Sequence, residues 1–373
     1  MSANSFILSI GTSVPAHKIL QEQHHAILDS ANGMSREEKL HLRKIYHRSG
    51  IESRHSVLAE FGSADHPDNI LFHPADLGNA LPVSERMKLF ENHASGLCEK
   101  AIATCLKDIP SLSADRITHL ITFSCTGMYA PGLDMQLVEK LGLNRNVERT
   151  CINFMGCYAG INALKVADYI VRAQEGAVVL VAGVELCTLH YQKNMKPDQL
   201  IANSLFADGA AACIVSSEKR LPENEKPRLK IRNFYSEFIP AGKEEMVWRI
   251  GDFGFDLRLS ASVPALIKEH IFSLAEKIFK KASMKQSDVD LYALHPGGMK
   301  ILDVCKEALN LTREQIQVSY DILRDYGNMS SVTIFFVLKK QLNSISTGDS
   351  GKKMLACAFG PGLTMESMIA EIG

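Results

Sequence analysis

The sequence predicts an α/β protein, and three of its features carry that prediction. Apolar runs of strand character alternate with helical stretches from end to end. Ala177–Val184 (AVVLVAGV) is an unbroken apolar run, as expected of a parallel strand buried on both faces. A polar segment at 216–227, with two prolines, separates two stretches that each mix strands and helices.

Taken in order, Ser84–Ile109 reads as a helix. Phe90, Ala94, Leu97, Ala101 and Cys105 form one stripe, and Pro110 stops it. Ile117–Phe123 and Arg149–Phe154 read as strands. The second leads through Met155-Gly-Cys-Tyr-Ala-Gly160 into a helix ending near Gln174, and the buried strand follows. The polar segment makes 1–215 and 228–373 the expected domains, with 216–227 as linker. Beyond it come a helix at Pro264–Ala282, a strand at Leu291–Leu294 and a helix at Met299–Ala308. A further helix is expected from about Met329, and Met354–Phe359 is expected to be the last strand. The two halves suggest duplication, although they share no clear residue-level repeat.

Composition removes several classes of function. The chain has 373 residues, 46% hydrophobic and 22% charged, which is globular and not disordered. Lys and Arg number 41 against 42 Asp and Glu, so there is no overall field for nucleic acid or an anionic membrane. The N-terminus lacks a basic leader region. The most apolar window, Ala177–Leu189, falls short of the ~18 residues of a membrane span and contains Glu185. Nine scattered cysteines, with no CxxC pair, argue against a zinc ribbon or a disulfide framework. A soluble protein of the reducing cytoplasm is expected.

Three residues stand out as chemistry. Cys157 lies where a strand turns into a helix, between Gly156 and Gly160. A helix N-terminus offers unpaired N–H groups and a positive dipole end, which favour a thiolate nucleophile. The plain alternative is a buried structural cysteine. His295 ends a strand at Leu294-His-Pro-Gly-Gly298, where the turn leaves the imidazole at a loop mouth. Asn328, in Asp325-Tyr-Gly-Asn-Met-Ser-Ser331, either caps a helix or donates to an oxygen that turns negative during reaction.

Together these motifs resemble the type III polyketide synthases, the chalcone synthase family. The resemblance rests on GCYAG at Cys157, HPGG at His295, YGNMSS at Asn328 and AFGPGLTME at Ala358–Glu366, with FADGAAA at Phe206–Ala212 in agreement. The motifs follow the family's order from about residue 117 onward. The first ~60 residues match loosely, and Glu60–Leu81 shows no obvious match. The resemblance implies a thiolase-like, five-layered αβαβα fold of two similar halves, working as a homodimer. It implies that Cys157 takes an acyl starter from coenzyme A. His295 and Asn328 then hydrogen-bond the thioester oxygen of malonyl-coenzyme A as it loses carbon dioxide, and the resulting enolate attacks the acyl-Cys157. The coenzyme A thioesters are substrates, and neither a metal nor another cofactor is implied. His295 close to the thiol would favour a Cys⁻/His⁺ pair.

Further positions carry over from the family. Phe206 and Phe255 match its gating phenylalanines, and Ser330 matches a wall residue. Arg43, Lys44 and Arg48, with Gly298, match the region that binds coenzyme A. Lys44 and Arg48 are four apart, so a helix would put both on one face. An ordinary solvated charge run is the alternative. Cys125 and Cys187 replace wall threonines of the plant enzymes, Met246 replaces a glycine and Ala130 an interface methionine. These changes turn the expectation away from flavonoid substrates and toward a bacterial-type enzyme making pyrones or resorcinols. Three competing readings share the fold. A ketoacyl-(acyl carrier protein) synthase III also has a Cys-His-Asn set, although HPGG and YGNMSS fit the polyketide family better. A non-catalytic acyl-coenzyme A binding protein would not need the intact trio. A thiolase would use a second cysteine near the C-terminus, for which Cys357 is the only candidate.

Overall fold

The computed structural model of the chain describes residues 4–30, 35–62, 81–192, 196–217 and 227–373. The strands are β1 (Ser5–Ser13), β2 (His17–Leu20), β3 (Ser53–Ser56), β4 (His119–Ser124), β5 (Glu148–Asn153), β6 (Val178–Leu186), β7 (Asp208–Ser217), β8 (Leu229–Phe238), β9 (Met246–Gly251), β10 (Gly254–Leu259), β11 (Leu291–Leu294), β12 (Lys353–Gly360) and β13 (Thr364–Ile372). The helices are α1 (Gln21–Ser30), α2 (Arg36–Arg48), α3 (Val83–Lys107), α4 (Leu133–Leu141), α5 (Ala159–Ala173), α6 (Pro197–Leu205), α7 (Val263–Lys281), α8 (Met299–Ala308), α9 (Gln317–Tyr326) and α10 (Thr333–Ser344).

Nine strands form one sheet in the order β11-β12-β13-β8-β1-β7-β6-β4-β5. The β5, β4 and β6 strands run parallel, as do β11 and β12. The two groups of strands meet where Ser5–Ile7 of β1 pairs antiparallel with Leu229–Ile231 of β8. Side chains alternate between faces along each strand, and that alternation builds the layers. In β6, Val179 and Val181 face a central core while Val178, Leu180 and Ala182 face an outer one. In β12, Met354, Ala356 and Ala358 face the central core, and Leu355, Cys357 and Phe359 face the other outer one. The central core holds α5 and α10 between the two groups of strands. The α3 helix covers one outside, and α7 and α8 cover the other. This is the five-layered αβαβα arrangement of a thiolase-like fold. Helices α5 and α10 carry little polar surface because both sit in the middle layer.

Two expectations need correction. The chain past Asn328 does not enter a helix at Met329; a 3-10 turn at Ser330–Val332 comes first and α10 starts at Thr333. Nor is Met354–Phe359 the last strand, since β13 follows it antiparallel. The β13 pattern is interrupted by Glu366 and Ser367, which are buried. Glu366 is paired with Lys165 at 2.8 Å and accepts from Ser236 Oγ at 2.6 Å, while Ser367 Oγ donates to Tyr235 O at 3.0 Å. Residues 218–226 of the expected linker, and 63–80 of the stretch without an obvious family match, lie outside the described residues.

Candidate active site

The nucleophile turn is built by close approach. After β5 the chain passes through Phe154 and Gly156, both left-handed at φ 62° and 83°, and reaches Cys157 two residues before α5. A Cβ on Gly156 would lie 2.2 Å from Pro361 Cδ, so the Phe359-Gly-Pro-Gly362 loop can press on the turn only if the residue is glycine. Gly160 serves α5 in the same way, since a Cβ there would meet Ser331 O at 2.6 Å. The glycines flanking Cys157 therefore let the Pro361 loop and the Ser331 segment close on the nucleophile turn.

His295 follows β11, its N–H donating to Cys357 O at 2.8 Å, and the residue is 1% exposed. Neither ring nitrogen has a hydrogen-bond partner among the described residues. Buried polar atoms are almost always paired, so two orphaned nitrogens at a cavity wall mark a place for a ligand's polar group. Asn328 is held from both sides of the chain. Its N–H donates to Leu205 O at 2.9 Å, and its carbonyl accepts from Ala207 N–H at 3.0 Å. Its side-chain Oδ1 accepts from Ser330 N–H at 2.8 Å, and Nδ2 donates to Gly297 O at 3.3 Å. That fixes the amide with its NH₂ toward the histidine loop, where one further hydrogen is available to donate.

The cavity measures about 510 Å³, and Cys157, His295, Asn328 and Ser330 all line it. Phe206, Phe255, Cys125, Cys187, Met246 and Gly298 line it too, as do Lys44 and Arg48 from α2. Arg43 does not. The α2 positions that face the cavity are His41, Lys44, Ile45 and Arg48, one helical stripe, and Arg43 lies about 100° away from Lys44. Cys357 is buried in the outer core under α7 and does not reach the cavity.

The electrostatics differ from the sequence expectation. Cys157 is half-buried with its Sγ 3.5 Å from Ser330 Oγ. Burial pushes the thiol up to about 12; the Ser330 hydroxyl pulls it down and the Glu185 charge adds to the rise. Burial likewise drives His295 down to about 3. Burial thus opposes both the thiolate and the imidazolium, and no hydrogen bond joins Cys157 Sγ to the His295 ring.

Sequence reasoning missed the groups that support this site. Glu185 is fully buried and accepts from Cys125 N–H at 3.0 Å, from Thr126 Oγ1 at 2.7 Å and from Ser331 Oγ, tying the Cys125 turn to the Asn328 turn. A carboxylate inside an apolar run was the available signal. Arg54, also buried, donates to Asn203 O at 2.8 Å and to Phe206 O at 2.7 Å. His190 stacks on Phe255 with ring centroids 3.9 Å apart, and Trp248 stands edge-on to both at 5.7 Å. A lone tryptophan in the sequence was the only hint of that cluster.

Two family profiles match the chain: "Chalcone and stilbene synthases, N-terminal domain" over residues 2–219, and the corresponding C-terminal domain over 230–372. Among curated proteins, the chain is similar to the alpha-pyrone synthesis polyketide synthase-like Pks18 of Mycobacterium tuberculosis. The two are 31% identical over 290 residues, 78% of this chain and 74% of that protein. Type III polyketide synthase A of Arabidopsis thaliana is 29% identical, over 97% of this chain and 91% of its own. Probable polyketide synthase 1 of Dictyostelium discoideum is 30% identical over 97% of this chain, which spans only 11% of that longer protein. Among solved structures, PKS-I from the brown alga Ectocarpus siliculosus superposes with a TM-score of 0.92 at 30% identity, covering 100% of this chain and 99% of its own. The C-terminal type III polyketide synthase domain of Steely1 from Dictyostelium gives 0.89 at 29% identity, covering 99% of each chain.

Proposed function

The chain belongs to the chalcone and stilbene synthase family, the type III polyketide synthases, and we propose that it loads an acyl starter from coenzyme A onto Cys157 and extends it with malonyl-coenzyme A. The observation that carries this reading is the pair of orphaned His295 nitrogens beside the Asn328 NH₂, in the cavity that also holds Cys157. In the loading step the Cys157 sulfur bonds to the acyl carbon, coenzyme A leaves as its thiol, and the Cys157 proton goes with it. Burial pushes the thiol up, and the Ser330 hydroxyl 3.5 Å from the sulfur acts against that rise.

Extension needs charge stabilisation at one oxygen. A neutral imidazole carries one N–H, and burial keeps His295 neutral, so it acts as a donor and not as an acid. With Asn328 Nδ2 it meets the thioester oxygen of malonyl-coenzyme A as carbon dioxide leaves. Each such donor is worth ~10²–10³ in rate. The enolate then forms a carbon–carbon bond to the acyl group and Cys157 leaves as thiolate. In this reading residues 1–215 supply the nucleophile and 228–373 the two donors. The chemistry calls for no metal or prosthetic group. Lys44 and Arg48 suit the phosphates of coenzyme A at the cavity entrance.

Ile201, Leu205, Leu257, Leu259, Val263 and Ile267 line the same cavity and suit an aliphatic starter, with a pyrone, resorcinol or phloroglucinol as product. The mycobacterial relative, described by its name as acting in alpha-pyrone synthesis, supports the first of these. The molecule works as a homodimer in this reading. β5 is an exposed sheet edge, and Met128 and Met135 near it are 40% and 44% exposed, an unpaired edge and apolar patch that a second copy would cover. Nine unpaired cysteines suit a reducing cytoplasm, and among the described residues no helix is long and apolar enough to cross a membrane.

Incubation with malonyl-coenzyme A and a panel of acyl-coenzyme A starters, followed by mass spectrometry, tests the function. Carbon dioxide release with cyclised products from aliphatic starters is expected; starter binding without release would make the chain a non-catalytic acyl-coenzyme A binder. Sedimentation velocity tests the dimer, which Met128→Glu with Met135→Glu should dissociate.

A further inference from the structure

The β9–β10 hairpin walls the cavity, and among the described residues its strands pair only with each other. A two-stranded hairpin is marginal alone and must be anchored by its surroundings. Three anchors are ordinary. Gly362 N–H donates to Met246 O at 3.1 Å, Gln199 Nε2 donates to Leu257 O, opposite Trp248, at 3.0 Å, and Val83 N–H donates to Asp252 O at 2.9 Å in the turn. Two further ties run to the consecutive carbonyls of Cys125 and Thr126. Trp248 Nε1–H donates directly to Cys125 O at 2.7 Å. Phe255 N–H donates to His190 Nδ1 at 3.0 Å, and His190 Nε2–H donates onward to Thr126 O at 2.6 Å.

Cys125 is also a neighbour of the nucleophile turn, because its Sγ accepts from Gly156 N–H at 2.9 Å and donates to Gly156 O at 3.2 Å. The hairpin, the Cys125–Thr126 loop and the residue before Cys157 are thus joined by one chain of hydrogen bonds. Flat rings fill the space between them, with His190 and Phe255 inclined by only 11° and Trp248 perpendicular to both. The bridge through His190 needs the neutral ring with its proton on Nε2. Burial drives that histidine down to about 3, so the bridge persists at neutral pH.

We propose that Trp248 is a positioning residue whose indole N–H, together with the His190 bridge, clamps the hairpin against the nucleophile turn and so limits the length of acyl chain that reaches Cys157. The proposal deepens the acyl-transfer reading above and rests on it for the identity of the ligand. Trp248→Phe keeps a ring and removes the N–H, leaving Cys125 O without its donor. Trp248→Leu removes the ring as well. The bonds to Met246, Leu257 and Asp252 remain in both variants.

The test labels Cys157 with N-ethyl and N-dodecyl iodoacetamide, mapped by peptide mass spectrometry, in wild type and both variants, with melting temperatures recorded alongside. The short reagent should label all three at rates within about twofold. The long reagent should label Trp248→Phe about tenfold faster than wild type, the scale of one buried hydrogen bond, and Trp248→Leu faster still. An unchanged ratio of long to short labelling in folded Trp248→Phe would overturn the proposal, whatever the melting temperature does. Failure of Trp248→Phe to fold would overturn it too, because the tryptophan would then serve the fold and not the width of the cavity. Labelling requires no turnover, so a wild-type protein that releases no carbon dioxide from malonyl-coenzyme A defeats the proposed function while this test still stands.

Discussion

Asn328→Asp separates a turn-forming asparagine from one that stabilises an oxyanion. The substitution keeps the Oδ1 that accepts from Ser330 N–H at 2.8 Å, so the tight turn into Ser330–Val332 survives. It exchanges the NH₂, which donates to Gly297 O at 3.3 Å, for a carboxylate oxygen facing that same carbonyl. Losing that bond costs ~1 kcal/mol of stability, with a further ~1–3 for an unsatisfied buried acceptor, within what a folded domain tolerates. The chemical cost is separate: one oxyanion donor removed lowers the rate ~10²–10³-fold, or about 2.7–4 kcal/mol of barrier. A negative charge in its place opposes the enolate further. The assay follows carbon dioxide release from malonyl-coenzyme A and, independently, acylation of Cys157 by a starter. Decarboxylation should fall at least ~10²-fold while acylation stays within about threefold of wild type. A folded variant that decarboxylates nearly as fast as wild type would show that Asn328 only shapes its turn. Equal loss of both activities would refute the division of roles.

Other perturbations address the surrounding structure. Gly156→Ala places a Cβ 2.2 Å from Pro361 Cδ at φ 83°, so thermal unfolding should reveal a loss of ~2–4 kcal/mol from the left-handed backbone and the overpacking together. His190 and His295 are both held down at about 3 by burial, so the unfolded chain takes up protons below pH 6.5 that the folded one refuses. Stability is therefore complete above pH 6.5 and declines as pH falls toward 3. Denaturant titrations at pH 7 and 5 should show His295→Gln losing ~2 kcal/mol less than wild type over that interval, whereas identical losses would place the proton uptake elsewhere. Lys44→Ala with Arg48→Ala should raise KM for coenzyme A thioesters about tenfold, less in high salt, whereas Arg43→Ala should leave it within about twofold.

Periodicity and turn chemistry made much of the fold legible in advance. The continuous run at Ala177–Val184 was readable because the strand it forms, Val178–Leu186, has a core on each face. The α3 stripe was readable because only one side of that helix meets the sheet. The Cys157 turn was legible through the glycines beside it, whose missing side chains let Pro361 and Ser331 approach. The β13 strand was not, since Glu366 and Ser367 look like solvent-facing residues until Lys165, Ser236 and the Tyr235 carbonyl are brought to them. The burial around the site was also hidden. A helix N-terminus can be recognised from local sequence, but the burial of Cys157 and His295 arises from segments more than 100 residues apart. His190 and Trp248 were unreadable for the same reason, because each acquires its partners only when the β9–β10 hairpin folds over the Cys125–Thr126 loop.

The central claim is that Cys157 carries the growing chain while His295 and Asn328 act on malonyl-coenzyme A. Its most direct test is to measure carbon dioxide release and covalent acylation together in the Cys157→Ala protein, by intact mass and peptide mapping after exposure to an aliphatic acyl-coenzyme A with malonyl-coenzyme A. Wild type should carry the acyl group on Cys157 and make extended product. Cys157→Ala should carry none and make no extended product, yet still release carbon dioxide from malonyl-coenzyme A through His295 and Asn328. Extended product from Cys157→Ala, or an acyl group mapped in wild type to another cysteine, would contradict the claim.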